Sequence, residues 1–249
     1  MTAPAEYLLR LADDRLVLGH RLSEWCGHAP ILEEDVALTN VALDLVGQAT
    51  ALLTLAAARE GQGRSADDLA YFRDAREFRN VQLVELPKGD FAVTMVRQFL
   101  FDVHGLLLYD GLQRSTDAEL AAIAAKAHKE IRYHARHSAQ WVLRLGDGTA
   151  ESHARAQAAL DDLWRFTGEL TLADALDRRM TEEGIAPDLD AVRDAWRAQV
   201  GTVLAEATLT PPKDGWPMQG GRQGLHTEHL GHMLAEMQSV ARAHPGASW

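Results

Sequence analysis

The sequence predicts an all-α chain, and three observations carry that prediction. Apolar residues recur at three- and four-residue spacing over long stretches, whereas the alternation that marks strands is nearly absent. Capping residues open these stretches, and glycine or proline closes them. The four longest stretches form two pairs joined by a single link of about thirty residues, 61–90. One long crossover between two hairpins is the connectivity of a ferritin-like four-helix bundle; an up-down bundle with short loops has no need of it.

The first helix is expected over about Ala5 to Cys26, with Tyr7, Leu11, Leu18, Leu22 and Trp25 on one face and Gly27 and Pro30 ending it. The second runs from Leu32 to Arg59, with Val41, Leu45, Leu52 and Leu55 inward and Gly61 and Gly63 beyond. A link of about five residues makes the pair antiparallel. Within the crossover, Ser65 reads as an N-cap with Asp67 and Asp68 in the first turn, predicting a short helix over Ala66 to Phe78.

The third helix, Phe91 to Gln113, is capped by Asp90. The fourth, Asp117 to Leu145, opens on a capping box of Thr116 and Glu119 and closes at Gly146-Asp147-Gly148. Further helices follow over Glu151 to Phe166, Asp188 to Ala207 and Thr227 to Ala243. The Pro211-to-Pro217 stretch is an irregular arm, either a packing loop or a strap onto a partner. No linker divides the chain, so the expectation is one domain over 1–249, with the two hairpins in 1–145 and accessory helices in 146–249.

With 249 residues, 47% hydrophobic and 24% charged, the chain has the composition of a globular protein with a sizeable core. Its net charge of -11 argues against a nucleic-acid partner and against an anionic membrane surface. One cysteine, Cys26, excludes an internal disulfide and any four-cysteine metal site. Beside Trp25, with only His28 near in sequence, it reads as a buried, inert thiol. Met1 to Arg10 lacks a basic leader followed by an apolar run, and the charge-free run Leu45 to Ala58 is 14 residues, short of a bilayer span. The chain reads as cytoplasmic.

The informative residues are acids at positions where the apolar stripes call for oily side chains. Asp14 lies between Leu11 and Leu18, Asp44 between Val41 and Leu45, Asp102 after Phe99-Leu100-Phe101, and Glu130 near Ala127 and Ile131. Each falls about halfway along its helix. Thirty residues separate the first pair and 28 the second, as two hairpins of similar arm length would require to bring all four to one level. A carboxylate in a bundle core costs several kcal/mol unless it is paired or bound to metal. The other reading puts some of them on a polar seam or in solvent.

Di-iron bundles take a Glu from each of two helices and a Glu-x-x-His pair from each of the other two, the spacing that sets both groups one turn apart on one face. No Asp or Glu in this sequence has a histidine three positions later. Where imidazole is required the chain reads Asp44-Leu45-Val46-Gly47 and Glu130-Ile131-Arg132-Tyr133. This is the acid skeleton of an iron cradle without its histidines, so no catalytic, cofactor or metal residue is assigned, and the four acids are read as vestigial ligand positions. Lys126, one turn before Glu130, and Arg97, near Asp102, are the sequence-readable counter-charges.

Two histidine groups remain. His134 and His137 with Glu130 form either a small ligand set or ordinary polar surface beside Arg132 and Arg136. His226, His229 and His232, with Glu228, drift around a helix, so at most two reach one ion; the other reading is a polar face or a contact between subunits. Neither matches His-Glu-x-x-His, and there is no G-x-S-x-G elbow, Walker loop or dinucleotide fingerprint.

Several stretches resemble one family along almost the whole chain: Gly19-His20-Arg21-Leu22-Ser23-Glu24-Trp25-Cys26-Gly27-His28, Ala42-Leu43-Asp44-Leu45-Val46-Gly47-Gln48-Ala49, Arg76-Glu77-Phe78-Arg79-Asn80, Lys129-Glu130-Ile131-Arg132-Tyr133-His134 and Trp141-Val142-Leu143-Arg144-Leu145-Gly146-Asp147-Gly148-Thr149. Asp67-Asp68-Leu69-Ala70-Tyr71, Arg97-Gln98-Phe99-Leu100-Phe101 and Thr227-Glu228-His229-Leu230-Gly231 belong with them. The family they resemble is the C-type subunits of bacterial phenylacetyl-CoA epoxidase, the multicomponent monooxygenase of aerobic phenylacetate breakdown. The resemblance implies a ferritin-like, non-catalytic structural subunit that binds no metal. It also implies a homologous A-type subunit that holds the di-iron centre and pairs with this chain as a heterodimer that assembles further. A small B-type subunit and an E-type reductase passing electrons from NADPH complete the system, which places one oxygen atom of O2 across the substrate's ring. The rival expectation is an autonomous metal-dependent oxidase or metal store using the carboxylates with the spare histidines.

Overall fold

The computed structural model describes residues 3–247. In chain order the helices are α1 (Ala3–Ser23), α2 (Leu32–Glu60), α3 (Ala66–Tyr71), α4 (Gln82–Glu85), α5 (Phe91–Leu112), α6 (Ala118–Gly146), α7 (Ala150–Trp164), α8 (Ala175–Glu182), α9 (Leu189–Glu206), α10 (Glu228–Met237) and α11 (Ser239–Ala243). Among the described residues there is no strand, so the fold is all-α as the periodicity predicts. The chain divides into two compact units, one of residues 1–28, 33–87 and 219–249, the other of 29–32 and 88–218. The first hairpin, α1 and α2, lies in the first of these units, and the second hairpin, α5 and α6, in the other. Each of the long hairpins belongs to a unit with accessory elements of its own.

In the first unit α1 and α2 pack closely at Gly19. A methyl there would lie 3.1 Å from Val46 Cγ2 and 3.3 Å from the Ala42 carbonyl oxygen, closer than ordinary van der Waals contact. α1 stops at Ser23, three residues before the expected end. Beyond it the Trp25, Cys26 and His28 amides bond three residues back instead of four, and Gly27 takes a left-handed φ of 78°. That tighter winding corrects the reading of the thiol: Trp25 turns into the core at 7% exposure, whereas Cys26 is exposed. His28 bonds the Cys26 carbonyl, not its sulfur.

The crossover helix is shorter than predicted. Ser65 does cap it, with a reciprocal box to Asp68, but the helix ends at Tyr71. A 3-10 turn over Ala75–Glu77 and the single turn of α4 follow. The last predicted helix is likewise two pieces, α10 and α11, meeting at Gln238, whose side-chain amide donates to the Ala70 and Arg73 carbonyls.

In the second unit α5 is buried on every side from Thr94 to Gly105, the mark of a central helix. It is packed by α6, α7 and α9, and the buried Trp196 of α9 donates its indole N–H to the Leu100 carbonyl at 2.9 Å. Asp90 caps α5 as expected. The α6 cap, however, is Asp117, whose carboxylate accepts from the Glu119 and Leu120 amides; Thr116 instead donates its hydroxyl to the Glu183 carbonyl. α8 has no counterpart among the predicted helices, although Asp174 and Asp177 form a capping box at its start. α2 and α5 are each long and apolar enough to cross a membrane by length and composition. For α5, 78% of its most apolar stretch is buried in the protein's own core.

Candidate functional site

The first unit holds a buried line of charged pairs that starts on α1. Asp13 and Asp14 are adjacent, both nearly inaccessible, and each is met by an arginine from a distant part of the chain. Arg73 holds Asp13 with both Nη atoms and lies with its guanidinium 4.2 Å above the Phe78 ring. The Arg79 amide adds a bond of 2.8 Å to Asp13 Oδ2. Asp14 Oδ1 accepts from the Val81 amide at 2.8 Å and from Arg222 Nη1 at 3.1 Å, and Oδ2 accepts from Arg222 Nη2 at 2.8 Å. The remaining reach of Arg222 goes to the Arg10 and Arg79 carbonyls.

Glu85 of α4 completes the line. Its Oε2 accepts from Asn80 Nδ2 and from His226 Nδ1, 2.8 and 2.7 Å away, and its Oε1 from the Thr227 amide at 2.5 Å. The other ring nitrogen of His226 faces the Phe78 carbonyl at 3.1 Å. With an acceptor at each nitrogen the ring is best satisfied as an imidazolium. Burial by itself lowers the His226 pKa, but the hydrogen bond and charge of Glu85 outweigh it, and the pKa is raised. Arg21 donates Nε and Nη2 to the Glu85 backbone oxygen and Nη2 to that of His229.

All six oxygens of Asp13, Asp14 and Glu85 therefore have donors. The arrangement clamps residues 219–229 and 73–85 onto α1. As a donor set for iron it does not fit, since a guanidinium already occupies both oxygens of Asp14. Two glycines make the clamp possible: a methyl at Gly221 would lie 2.1 Å from the Asn80 oxygen, and one at Gly224 2.3 Å from the Arg76 oxygen.

Of the four acids singled out in the sequence, Asp14 is the one bound into this clamp, and its counter-charge is Arg222. Lys126 is exposed on α6, and Arg97 is fully buried in α5. Asp44 is half-buried on α2. In the second unit Asp102 is buried and accepts from Gln98 Nε2 at 2.7 Å and from Ser138 Oγ at 2.9 Å. It thus meets α6 eight residues, or about 12 Å of helical rise, beyond the half-buried Glu130. His134 is buried, while His137 stacks on the exposed Tyr133 ring. His226 precedes α10 and so does not share a helix with His229 and His232. Among the described residues no three His, Cys, Asp or Glu side chains gather around a point that suits a metal.

A concave feature lies wholly in the second unit. The Pro211-to-Pro217 arm closes over Trp164, Gly168, Trp196 and Arg197, leaving a cleft of about 230 Å³. Asp214 of the arm accepts from Arg197 at 2.8 Å and from the Trp164 indole at 3.2 Å, and these bonds hold its pKa below the usual carboxylate range. The Met218 amide bonds the Arg165 carbonyl. The arm thus packs on its own unit through Asp214 and Met218, with Trp216 left 88% exposed.

Reasoning from sequence misses Arg73, Glu85 and Arg222. Arg73 sits among charged residues that read as surface, Glu85 lies in an apolar run too short to show a period, and Arg222 pairs across 208 positions, a separation no local pattern reports.

Comparison with known proteins adds what the clamp alone does not give. The family model described as phenylacetic acid catabolic protein matches residues 1–249. A curated relative from Escherichia coli (strain K12), named as the C component of 1,2-phenylacetyl-CoA epoxidase, is 52% identical over 243 residues, covering 98% of this chain and 98% of its own. At that coverage the all-α, ferritin-like class predicted from the connectivity is the family's, and the chain belongs to the phenylacetic acid catabolic protein family.

Proposed function

We propose that this chain is the C-type, non-catalytic subunit of a multicomponent phenylacetyl-CoA epoxidase, serving phenylacetate catabolism by bracing a homologous A-type subunit that holds the di-iron centre. The observation that carries the reading is the 52% identity over essentially the full length of a relative named as that component. The chemistry of the acids supports it. No Glu-x-x-His pair exists anywhere in the sequence, and the core acid Asp14 on α1 is committed to Arg222 and Val81. A B-type subunit and an E-type reductase supplied by NADPH belong to the same reading.

A bundle crowded with carboxylates and metal gains little from packing its own core. A metal-free sister offers it an interface, and obligate interfaces commonly bury more than about 2,000 Å². The test is expression of the A-type subunit with and without this chain, followed by metal analysis of each separated polypeptide and assay of phenylacetyl-CoA turnover with the other components. Soluble, iron-loaded, active A-type subunit only on co-expression is the expected result. An A-type subunit fully active alone, or about two irons in this chain, overturns it.

A further inference from the structure

α6 carries a line of cations along its outward face. Lys126, Lys129, Arg132, Arg136 and Arg144 are all exposed, at spacings of three, three, four and eight residues, which keeps them on one side of the helix over about 27 Å. The acid between Lys126 and Arg144 is the half-buried Glu130, one turn from Lys126, and every fully exposed charge in that span is a cation. None of the five has a carboxylate partner among the described residues, although surface arginines elsewhere do: Arg114 pairs with Asp110, Arg155 with Glu151, Arg179 with Glu183, Arg197 with Asp214 and Arg242 with Asp74. On a chain of net charge -11, five exposed cations on one face with a single half-buried acid among them oppose the general field and disfavour one another.

An aromatic group sits in the middle of the line. Tyr133 is 43% exposed, stacked on His137 with ring centroids 6.0 Å apart, and the Arg136 guanidinium lies 5.8 Å from its ring. An exposed tyrosine held between two neighbours, flanked by arginines, has the make-up of an interface anchor.

We propose that this face of α6 docks the acidic surface of a partner protein. Charge complementarity selects that occupant. Arginine binds carboxylates through two parallel N–H bonds, and a row of Asp and Glu on a helix or strand would match a straight line of this length. A nucleic acid carries uniform negative charge, so the acids that outnumber cations 36 to 25 over the whole chain would repel the rest of it. A small phosphorylated ligand needs a concave site; the Trp164–Trp196 cleft and the cavity beside Phe91 are lined by none of these five residues. The inference goes beyond the proposed function, because it concerns a surface and its chemistry whichever assembly the chain serves.

The test compares the full-length chain with K129E/R132E/R136E and with a control, R114E/R179E, which reverses two paired surface arginines. Far-UV circular dichroism and thermal melts check that all three fold alike. Immobilised chains are presented with the separately purified A-, B- and E-type components of the epoxidase, with poly-L-glutamate, and with duplex DNA, each at low and at physiological salt. The wild type and the control are expected to bind poly-L-glutamate at low salt, and the triple reversal to weaken that binding by at least about tenfold. At least one of the epoxidase components is expected to show the same pattern. If poly-L-glutamate behaves so and none of those components binds, the acidic-partner surface stands and the epoxidase reading falls. Equal binding by wild type and triple reversal, an equal loss in the control, or tighter binding of duplex DNA than of poly-L-glutamate overturns the proposal.

Discussion

Arg222 and Asp14 are 208 positions apart in the chain and meet with Nη2 2.8 Å from Oδ2, both side chains largely shielded from water. Truncating the cation leaves a carboxylate in the core with the Val81 amide still donating to it but no charge to balance it, which is the costly way to break such a pair. Arg222→Ala is expected to destabilise the chain by about 3–5 kcal/mol in urea unfolding. The double variant D14L/R222M removes both charges together and is expected to lose much less than the sum of the single variants. Full additivity would mean that the two residues act independently.

His226 makes part of this clamp dependent on pH. Burial opposes its charge, Glu85 favours it, and the net effect raises its pKa above the ordinary 6.5. A raised folded-state pKa contributes stability that is fully present below 6.5 and lost as pH rises through the folded value. The wild type should therefore lose stability relative to His226→Gln between a pH just below 6.5 and mildly alkaline pH. His20 acts with the opposite sign. Burial lowers its pKa, so its contribution is present above 6.5 and lost as pH falls through the folded value. Urea midpoints of wild type, H226Q and H20N across that range separate the two contributions; parallel curves for wild type and H226Q would show that His226 does not contribute.

The long helices are legible in the sequence because each buries a continuous apolar stripe, and α2 and α5 end within a residue of where periodicity and caps place them. The clamp is not legible, for a physical reason. Asp13, Asp14, Glu85 and Arg222 are neutralised by partners 60 to 208 positions away, and isolated charges near Arg73 and Arg79 look like solvated surface until the chain is folded. Asp14 stands out because it interrupts a stripe; Glu85 interrupts nothing long enough to show a period. Asp102 stands out for the same reason as Asp14, but the Ser138 and Gln98 side chains that donate to it are neutral groups with no charge signal.

Two helical glycines should respond oppositely to alanine. At Gly146 a methyl would sit 2.2 Å from the Ala207 carbonyl oxygen, a backbone atom that cannot rotate away, so Gly146→Ala is expected to cost at least about 1–3 kcal/mol through overpacking where α6 approaches the end of α9. At Gly47 a methyl would meet nothing within 4 Å, and the helix interior gains from the lost chain entropy; Gly47→Ala should stabilise by about 0.5–1 kcal/mol. Thermal melts of the two variants should move in opposite directions. The same result would show that the close approach, and not glycine flexibility, explains Gly146.

The start of α6 distinguishes two capping assignments. Sequence pattern favours a box of Thr116 and Glu119, whereas the Asp117 carboxylate is the group that accepts from the Glu119 and Leu120 amides. Asp117→Ala should then cost about 1 kcal/mol, and Asp117→Asn much less, because either oxygen acceptor serves an N-cap. Thr116→Ala removes a hydroxyl bond to the Glu183 carbonyl at an exposed site, where water replaces it, so its effect should stay within about 0.5 kcal/mol. Chemical denaturation of the three variants decides the matter: a larger loss for Thr116→Ala than for Asp117→Ala would restore the box read from the sequence.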